Sequence, residues 1–417
     1  MTDSAASASP EQANEHELPG NFRRAFWFAY AAHFAMTLAA TMFYRSADFV
    51  AIMGGDDFDL GWIVGCGVVG GLAMRAFQAV ASDAYGSKPI WITSCFAVTL
   101  ACVAHVFVPV GQLVWLYPAR FVFQGAVNGF FGASITFMSS RAPASRTAEV
   151  VGNLGTAGFL GMVVGPQILD QIWSVHAWND HERMKAALWL ATGTSFLSGI
   201  GAILSTAGHE SPRRRHAPVL AVIRRYHPGL ILLVAAATGL GLGLPGTFLR
   251  PYLETRHIEG IGLFFVVYPM TAFVTRLSIR RFPERYGVRP LVLVGLTSLI
   301  CGTLAFLAVA SPWQVAWPAL FLGIAHAVLF PVVIAGGTLG YPQKFRGLGT
   351  ALVLAAFDAG SLVGMPAAGS ILRGAGVLNW PRYPTMFISI TLTFVVIAMW
   401  YWLAATRSGE RVASERG

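Results

Sequence analysis

Twelve stretches of mostly apolar residues, each about the ~20 residues that a helix needs to cross a ~30 Å hydrocarbon layer, dominate this chain. They run roughly 25–47, 60–82, 88–109, 113–138, 149–172, 186–207, 229–250, 260–281, 290–310, 313–339, 347–371 and 384–405. Without water to satisfy backbone N–H and C=O groups, a spanning segment must bond within itself, so each is expected to be a helix. Hydrophobic residues make up 55% of the chain and charged residues 12%, against roughly 45–50% and about 25% in a soluble domain. The surplus apolar surface needs lipid around it, and the chain reads as an all-α integral membrane protein.

A repeat organises these spans into two halves. Arg75, then Asp83, Tyr85, Gly86, Lys88 and Pro89, is matched by Arg276, then Glu284, Tyr286, Gly287, Arg289 and Pro290, at an offset of 201 residues. Arg146 and Pro166 are matched by Arg346 and Pro366 at an offset of 200. A duplicated bundle of six spans accounts for both. The expected division is a disordered tail over 1–20, a first six-helix bundle over 21–208, a basic linker over 209–228, a second bundle over 229–405 and a tail over 406–417. The first apolar run is longer than a signal-peptide core and lacks a small-residue cleavage site, so no cleaved leader is expected.

The formal charge of +9 resides in the connections rather than on one face of a soluble domain, which argues against a nucleic-acid partner. With a cytoplasmic amino terminus, nineteen of the 29 Lys and Arg residues fall on the cytoplasmic side and six on the other, and four lie within spans. The positive-inside rule therefore predicts both termini inside, in a cell (inner) membrane. Trp27, Trp115, Trp189, Trp313, Trp317, Trp400 and Trp402 lie near span ends, as an interfacial belt requires. Four scattered cysteines without C-x-x-C spacing suggest neither disulfides nor zinc. No phosphate-binding loop, dinucleotide fingerprint or H-E-x-x-H is present, so neither a cofactor nor a metal is expected, and the chain does not read as an enzyme.

Ala79 to Lys88 carries Asp83, Gly86 and Lys88 of the loop signature G-x-L-x-D-R-x-G-R-K, Gly161-Met-Val-Val-Gly165-Pro166 matches G-x-x-x-G-P, and Arg120, Gln124 and Gly125 resemble R-x-x-Q-G with one extra residue. In these motifs the chain resembles the major facilitator superfamily, and within it the small-molecule exporter branches. Leu169-Asp170 stands where a glycine pair usually follows the fifth-span motif. The resemblance implies twelve helices in two pseudo-symmetric bundles around a central cavity lined by the first, fourth, seventh and tenth spans. It also implies that each repeated loop docks on the opposite half. Asp83 would meet Arg346 and Glu284 would meet Arg146, with Arg75, Gly86, Lys88, Arg276, Gly287 and Arg289 completing the gates. An acid there gains from an Arg and from unpaired N–H groups at a helix start.

Ionisable groups within spans are costly, about 2.5–3.5 kcal/mol each on insertion scales, and normally face a partner or a wet cavity. On the implied fold, His33, Arg120, Gln124, Asn128 and His326 are the candidate cavity residues. Asp358, deep in the eleventh span, is the first candidate for proton coupling, with His33 and His326 as alternatives. A static bridge from Asp358 to Arg276 is the competing reading. Arg45 and Asp48 are expected to pair locally near the rim, and His105 to pack. Gly161, Gly165, Pro166 and Pro366 permit close helix packing and bending, and the fifth and eleventh spans that carry them are expected to line the sliding surface between halves.

The function expected is a monomeric secondary transporter that moves a small organic molecule, exporting it in exchange for protons. The excess of Arg75, Arg120 and Arg276 over Asp358 suits an anionic substrate. A proton-coupled importer of an organic anion and a non-transporting membrane sensor are the alternatives.

Overall fold

The computed structural model describes residues 20–141, 147–208, 223–259, 261–279, 288–338, 341–342 and 346–414. Helices of 17 residues or more follow one another: α1 (Gly20–Thr41), α2 (Asp57–Tyr85), α3 (Ser87–Val106), α4 (Leu116–Ser139), α5 (Thr147–Trp173), α6 (Asp180–Thr206), α7 (Ile231–Thr255), α8 (Gly262–Ser278), α9 (Val288–Ala305), α10 (Ala316–Thr338), α11 (Arg346–Val377) and α12 (Arg382–Ser414). Ten helical segments are long and apolar enough to cross a membrane, and Gly262–Arg276 of α8 is apolar but shorter. The remaining helix, α5, carries glycines at 152, 155, 158, 161 and 165, which dilute its hydropathy. Among the described residues there is no strand.

The pairing of helices repeats between the halves. In the first, α1 packs on α5 and α6, α2 on α4, and α3 on α4 and α6. In the second, α7 packs on α11, α8 on α10, and α9 on α10 and α12. The exception is α6, which packs closely on α1, while its counterpart α12 barely meets α7. The described ends of α1 and α12 lie at one end of the molecule, called here the termini end.

Local chemistry accounts for the boundaries. A single residue, Gly86, separates α2 from α3 with φ +80°, a conformation that only glycine adopts without strain. Asn179 and Glu182 form a reciprocal capping box at the start of α6, with bonds of 3.0 and 2.8 Å, satisfying two donors that the first turn leaves unpaired. Lys88 donates from Nζ to the Thr206 carbonyl at 3.0 Å, where a cation suits the negative end of α6.

The first predicted span, 25–47, is not one continuous helix. It tightens into a 3₁₀ turn at Met42–Arg45 and resumes as the short helix Ser46–Ile52, and Arg45 at the junction pairs with Asp48 of that helix and Asp170 of α5. At the other terminus α12 continues to Ser414, beyond the predicted end at 405. The predicted tail is otherwise outside the described residues, as are residues 209–222 of the basic linker. All seven belt tryptophans are exposed, from 50% at Trp189 to 78% at Trp313.

Candidate functional site

A cavity of ≈ 290 Å³ lies between the halves, lined by residues of α1, α4, α5, α7 and α8 and of the Met42–Arg45 turn. Arg120 and Gln124 of α4 face it, one helical turn apart. The extra residue relative to R-x-x-Q-G converts an i,i+3 spacing to i,i+4, which still presents both side chains on one face. The Arg120 guanidinium sits over the rings of Phe43 and Phe123, 4.9 and 5.3 Å from their centroids. Its Nη1 is buried with no hydrogen-bond partner among the described residues. Among the described residues, no Asp or Glu lines the cavity. The other walls are largely aromatic, with Tyr44, Phe264, Phe265 and Tyr268 prominent.

Above the cavity, at the end away from the termini, the halves are tied by polar contacts. Arg45, 2% exposed, bonds Asp48 at 3.0 Å and Asp170 at 2.9 Å and lies 4.4 Å from the Trp173 ring. Asp170, at the end of α5, also accepts the backbone N–H groups of Ile261 and Gly262 at 3.0 and 2.8 Å, capping α8 of the other half. Asp48 reaches Arg250 of α7 at 3.6 Å, and Arg250 bonds Glu254 at 2.7 Å. Asp57 of α2 accepts from Arg382 and Tyr383 of α12, both at 3.0 Å. Tyr44 stacks on Phe265 at 4.3 Å, closing the roof with apolar surface from both halves. Asp170, standing in place of the usual motif glycine, is thereby explained: it joins Arg45 to the start of α8.

Toward the termini end the halves meet along α2 and α11. Asp358 bonds Arg75 rather than Arg276, through Nε to Oδ2 and through Nη2 to Oδ1 at 3.4 Å. Arg75 is ten residues from the end of α2 and Asp358 twelve from the start of α11, about 15 and 18 Å inside at 1.5 Å per residue. The static-bridge expectation named the wrong arginine because one sequence says little about which faces of different helices meet.

Arg276 instead lies with its guanidinium 5.8 Å from the Phe159 ring of α5, its Nε buried without a partner. Tyr268, whose ring lines the cavity, shares a 2.6 Å hydrogen bond with Nδ1 of His326. Phe159 lies 6.4 Å from the His326 ring. Arg276, Phe159, Tyr268 and His326 thus form one cluster where α5, α8 and α10 converge.

Other predicted residues have different surroundings. His33, 3% exposed, bonds Ser134 at 2.8 Å between Phe130 and Phe131, and it is not among the cavity-lining residues. Asn128 packs toward Gly71 of α2, while His326 touches the cavity only through Tyr268. His105 packs against Phe43 and bonds the Ala101 carbonyl at 2.7 Å.

Gly161 and Gly165 do not line the surface between halves. A methyl added at Gly161 would lie 2.8 Å from Thr37 Cβ, and one at Gly165 2.7 Å from Thr41 Cβ, so this face of α5 is buried on α1 of its own half. Pro166 is buried in the same helix. Pro366 does face the other half, against Gly65.

Of the predicted gates, Arg146, Glu284 and Gly287 lie outside the described residues, as do the side chains of Asp83 and Arg346. Arg289 is exposed at the start of α9. Among the described residues, no group of three or more His, Cys, Asp or Glu side chains is arranged to hold a metal.

The sequence profile of the Major Facilitator Superfamily matches residues 6–166 and 231–417. A multidrug resistance efflux pump PmrA homologue of Lactococcus lactis subsp. lactis (strain IL1403) is 22% identical over 273 residues, covering 60% of this chain and 63% of that protein. A POT family transporter solved with 5-aminolevulinic acid superposes with a TM-score of 0.74 at 12% identity, covering 92% of this chain and 96% of the other. The nucleoside transporter NupG gives 0.70 at 11%, covering 91% and 98%. An inward-facing bacterial homologue of the lysosomal transporter Spinster gives 0.70 at 15%, covering 94% and 98%. At these identities the structures speak for the fold alone.

Proposed function

The chain belongs to the major facilitator superfamily, and from that premise we propose that it exports a small carboxylate-bearing molecule in exchange for protons. The two bundles rock around the cavity at Arg120, and both termini are cytoplasmic. The carrying observation is the buried, unpartnered Nη1 of Arg120 beside a cavity without carboxylates. An unpaired buried guanidinium is costly, several kcal/mol in a dry site. A ligand carboxylate offsets that cost by bidentate bonding, and the aromatic walls accept an apolar body. The volume of ≈ 290 Å³ is at the lower end of the range for small-molecule pockets, about 300–1,000 Å³, so a compact molecule is favoured.

Proton coupling rests on Asp358. A proton on that carboxylate cancels its charge and releases Arg75, freeing α2 from α11 at the termini end. Export is supported by the efflux-pump relative. The cytoplasmic placement of the termini is supported by the distribution of Lys and Arg.

Everted vesicles test the proposal. With a pH gradient established, benzoate, succinate and similar acids dissipate it in vesicles carrying the wild type and fail to do so with Arg120→Gln. Equal rates in the variant, or transport confined to cations, would overturn the assignment. Substrate-dependent uptake into whole cells, with no flux in everted vesicles, would reverse the direction.

A further inference from the structure

The cavity at Arg120 divides its polar groups unequally between the halves. From the second half come the hydroxyls of Thr247 and Tyr268, and both are engaged: Tyr268 with His326, and Thr247 with the Gly243 carbonyl of its own helix at 3.4 Å. From the first half come Tyr44, Arg120 and Gln124. Arg120 Nη1 is buried and unbonded, and neither the Gln124 amide nor the Tyr44 hydroxyl has a hydrogen bond among the described residues. A ligand in this cavity therefore meets one cation and two uncharged groups, each able both to donate and to accept.

Gln124 stands beside the cation. The two residues are four apart on α4, a spacing that puts Cβ atoms about 5–6 Å from one another. Both stems also pack on the same glycine of α2: a Cβ at Gly67 would lie 3.0 Å from Arg120 Cγ and 3.4 Å from Gln124 Cβ. A molecule whose acid bonds Arg120 thus holds the atoms next to that acid within reach of the Gln124 amide. An ammonium at the same place is disfavoured, because a buried cation requires an anion and the neighbouring guanidinium repels it. Stacked ring pairs, Tyr44 on Phe265 at 4.3 Å and Phe264 on Tyr268 at 5.7 Å, suit a flat apolar body.

We infer that Gln124 determines specificity, and that the transported molecule carries an uncharged hydroxyl or carbonyl group next to its carboxylate, as in a 2-hydroxy acid. The inference rests on the reading of Arg120 as the carboxylate anchor and narrows the substrate class: amino acids are excluded, and plain carboxylates bind less well.

Phenylpropionate, phenyllactate and phenylalanine share one skeleton and differ in bearing hydrogen, hydroxyl or ammonium beside the carboxylate. Their affinities for the purified full-length protein, read by thermal stabilisation, test the inference. A neutral hydrogen bond is worth about threefold to tenfold in affinity, so the wild type is expected to prefer phenyllactate to phenylpropionate by about that factor and to bind phenylalanine most weakly. Gln124→Met keeps the length of the side chain without its hydrogen bonds and brings the ratio of phenyllactate to phenylpropionate affinity to about one.

A ratio that survives Gln124→Met and falls instead in Tyr44→Phe assigns the hydroxyl to the roof and overturns the role of Gln124. In the wild type, which depends on no variant folding, equal affinity for phenyllactate and phenylpropionate, or phenylalanine binding as tightly as phenyllactate, also overturns the inference. The Arg120 reading survives either result provided that Arg120→Gln weakens phenylpropionate binding. Failure of both phenylpropionate and phenyllactate to bind the wild type removes the Arg120 reading, and this inference with it.

Discussion

Two seams join the halves, α2 against α11 and α5 against α8, and the duplication makes them counterparts, yet they are built differently. Along α2 and α11 small residues let the backbones approach: a methyl at Gly65 would lie 2.6 Å from Pro366 Cγ, and one at Gly369 2.7 Å from the Asp57 carbonyl. That seam carries its own ion pair, Arg75 with Asp358. The α5–α8 seam is fastened at the far end, where Asp170 caps α8, and deeper in it sets Arg276 against the Phe159 ring. Duplication thus supplies a repeated frame, and the two seams fill it with different contacts, an ion pair at Arg75 and Asp358 and a ring contact at Arg276 and Phe159.

Breaking the pair gives the largest expected effect. Asp358→Asn leaves Arg75 without its counter-charge, and transport in proteoliposomes should fall more than tenfold while the protein still inserts. Arg75→Asp combined with Asp358→Arg should recover part of the loss, with a coupling of about 1–3 kcal/mol between the two sites in a double-mutant cycle. Additive losses would mean that the two residues act independently.

The contrast in packing sharpens next. Gly65→Leu overpacks the tight seam and should destabilise by about 1–3 kcal/mol, whereas Gly155→Leu projects into open space on α5 and should change the melting temperature little. Equal effects would show the seams to be equally tight.

A smaller effect is expected at the far end. Asp170→Ala removes a helix cap and a partner of Arg45, costing about 0.5–2 kcal/mol by the usual range for caps, read as a lowered melting temperature. Smallest is Lys88→Met, which removes a cation from the last turn of α6 at about 0.3–1 kcal/mol. The effect is read as a small fall in melting temperature.

Much of the fold was legible because lipid imposes a simple code: apolar runs of the right length become helices, and a repeated motif becomes a repeated bundle. Arg120 and Gln124 were legible too, since spacing along one helix fixes whether two residues share a face. The residues that close the roof were not. Tyr44 and Phe265 are ordinary aromatics in apolar runs, and only the 3₁₀ turn at Met42–Arg45 brings one against the other. The partner of Asp358 was also hidden. Arg75 and Arg276 are both plausible by type and depth, and the choice depends on the rotation of α11 between α2 and α7. Gly161 and Gly165 carry a packing signal without naming the neighbour, which is α1 of the same half.

The sequence by itself determined the number and order of the helices, the doubling and the superfamily, because backbone hydrogen bonding in a medium without water and the spacing of motifs are properties of the chain taken in order. Tertiary structure decided which charges meet, that Asp358 answers Arg75 while Arg276 lies against the Phe159 ring, and which aromatics line the cavity. Those outcomes depend on distances between residues hundreds of positions apart, set by helix rotation and packing.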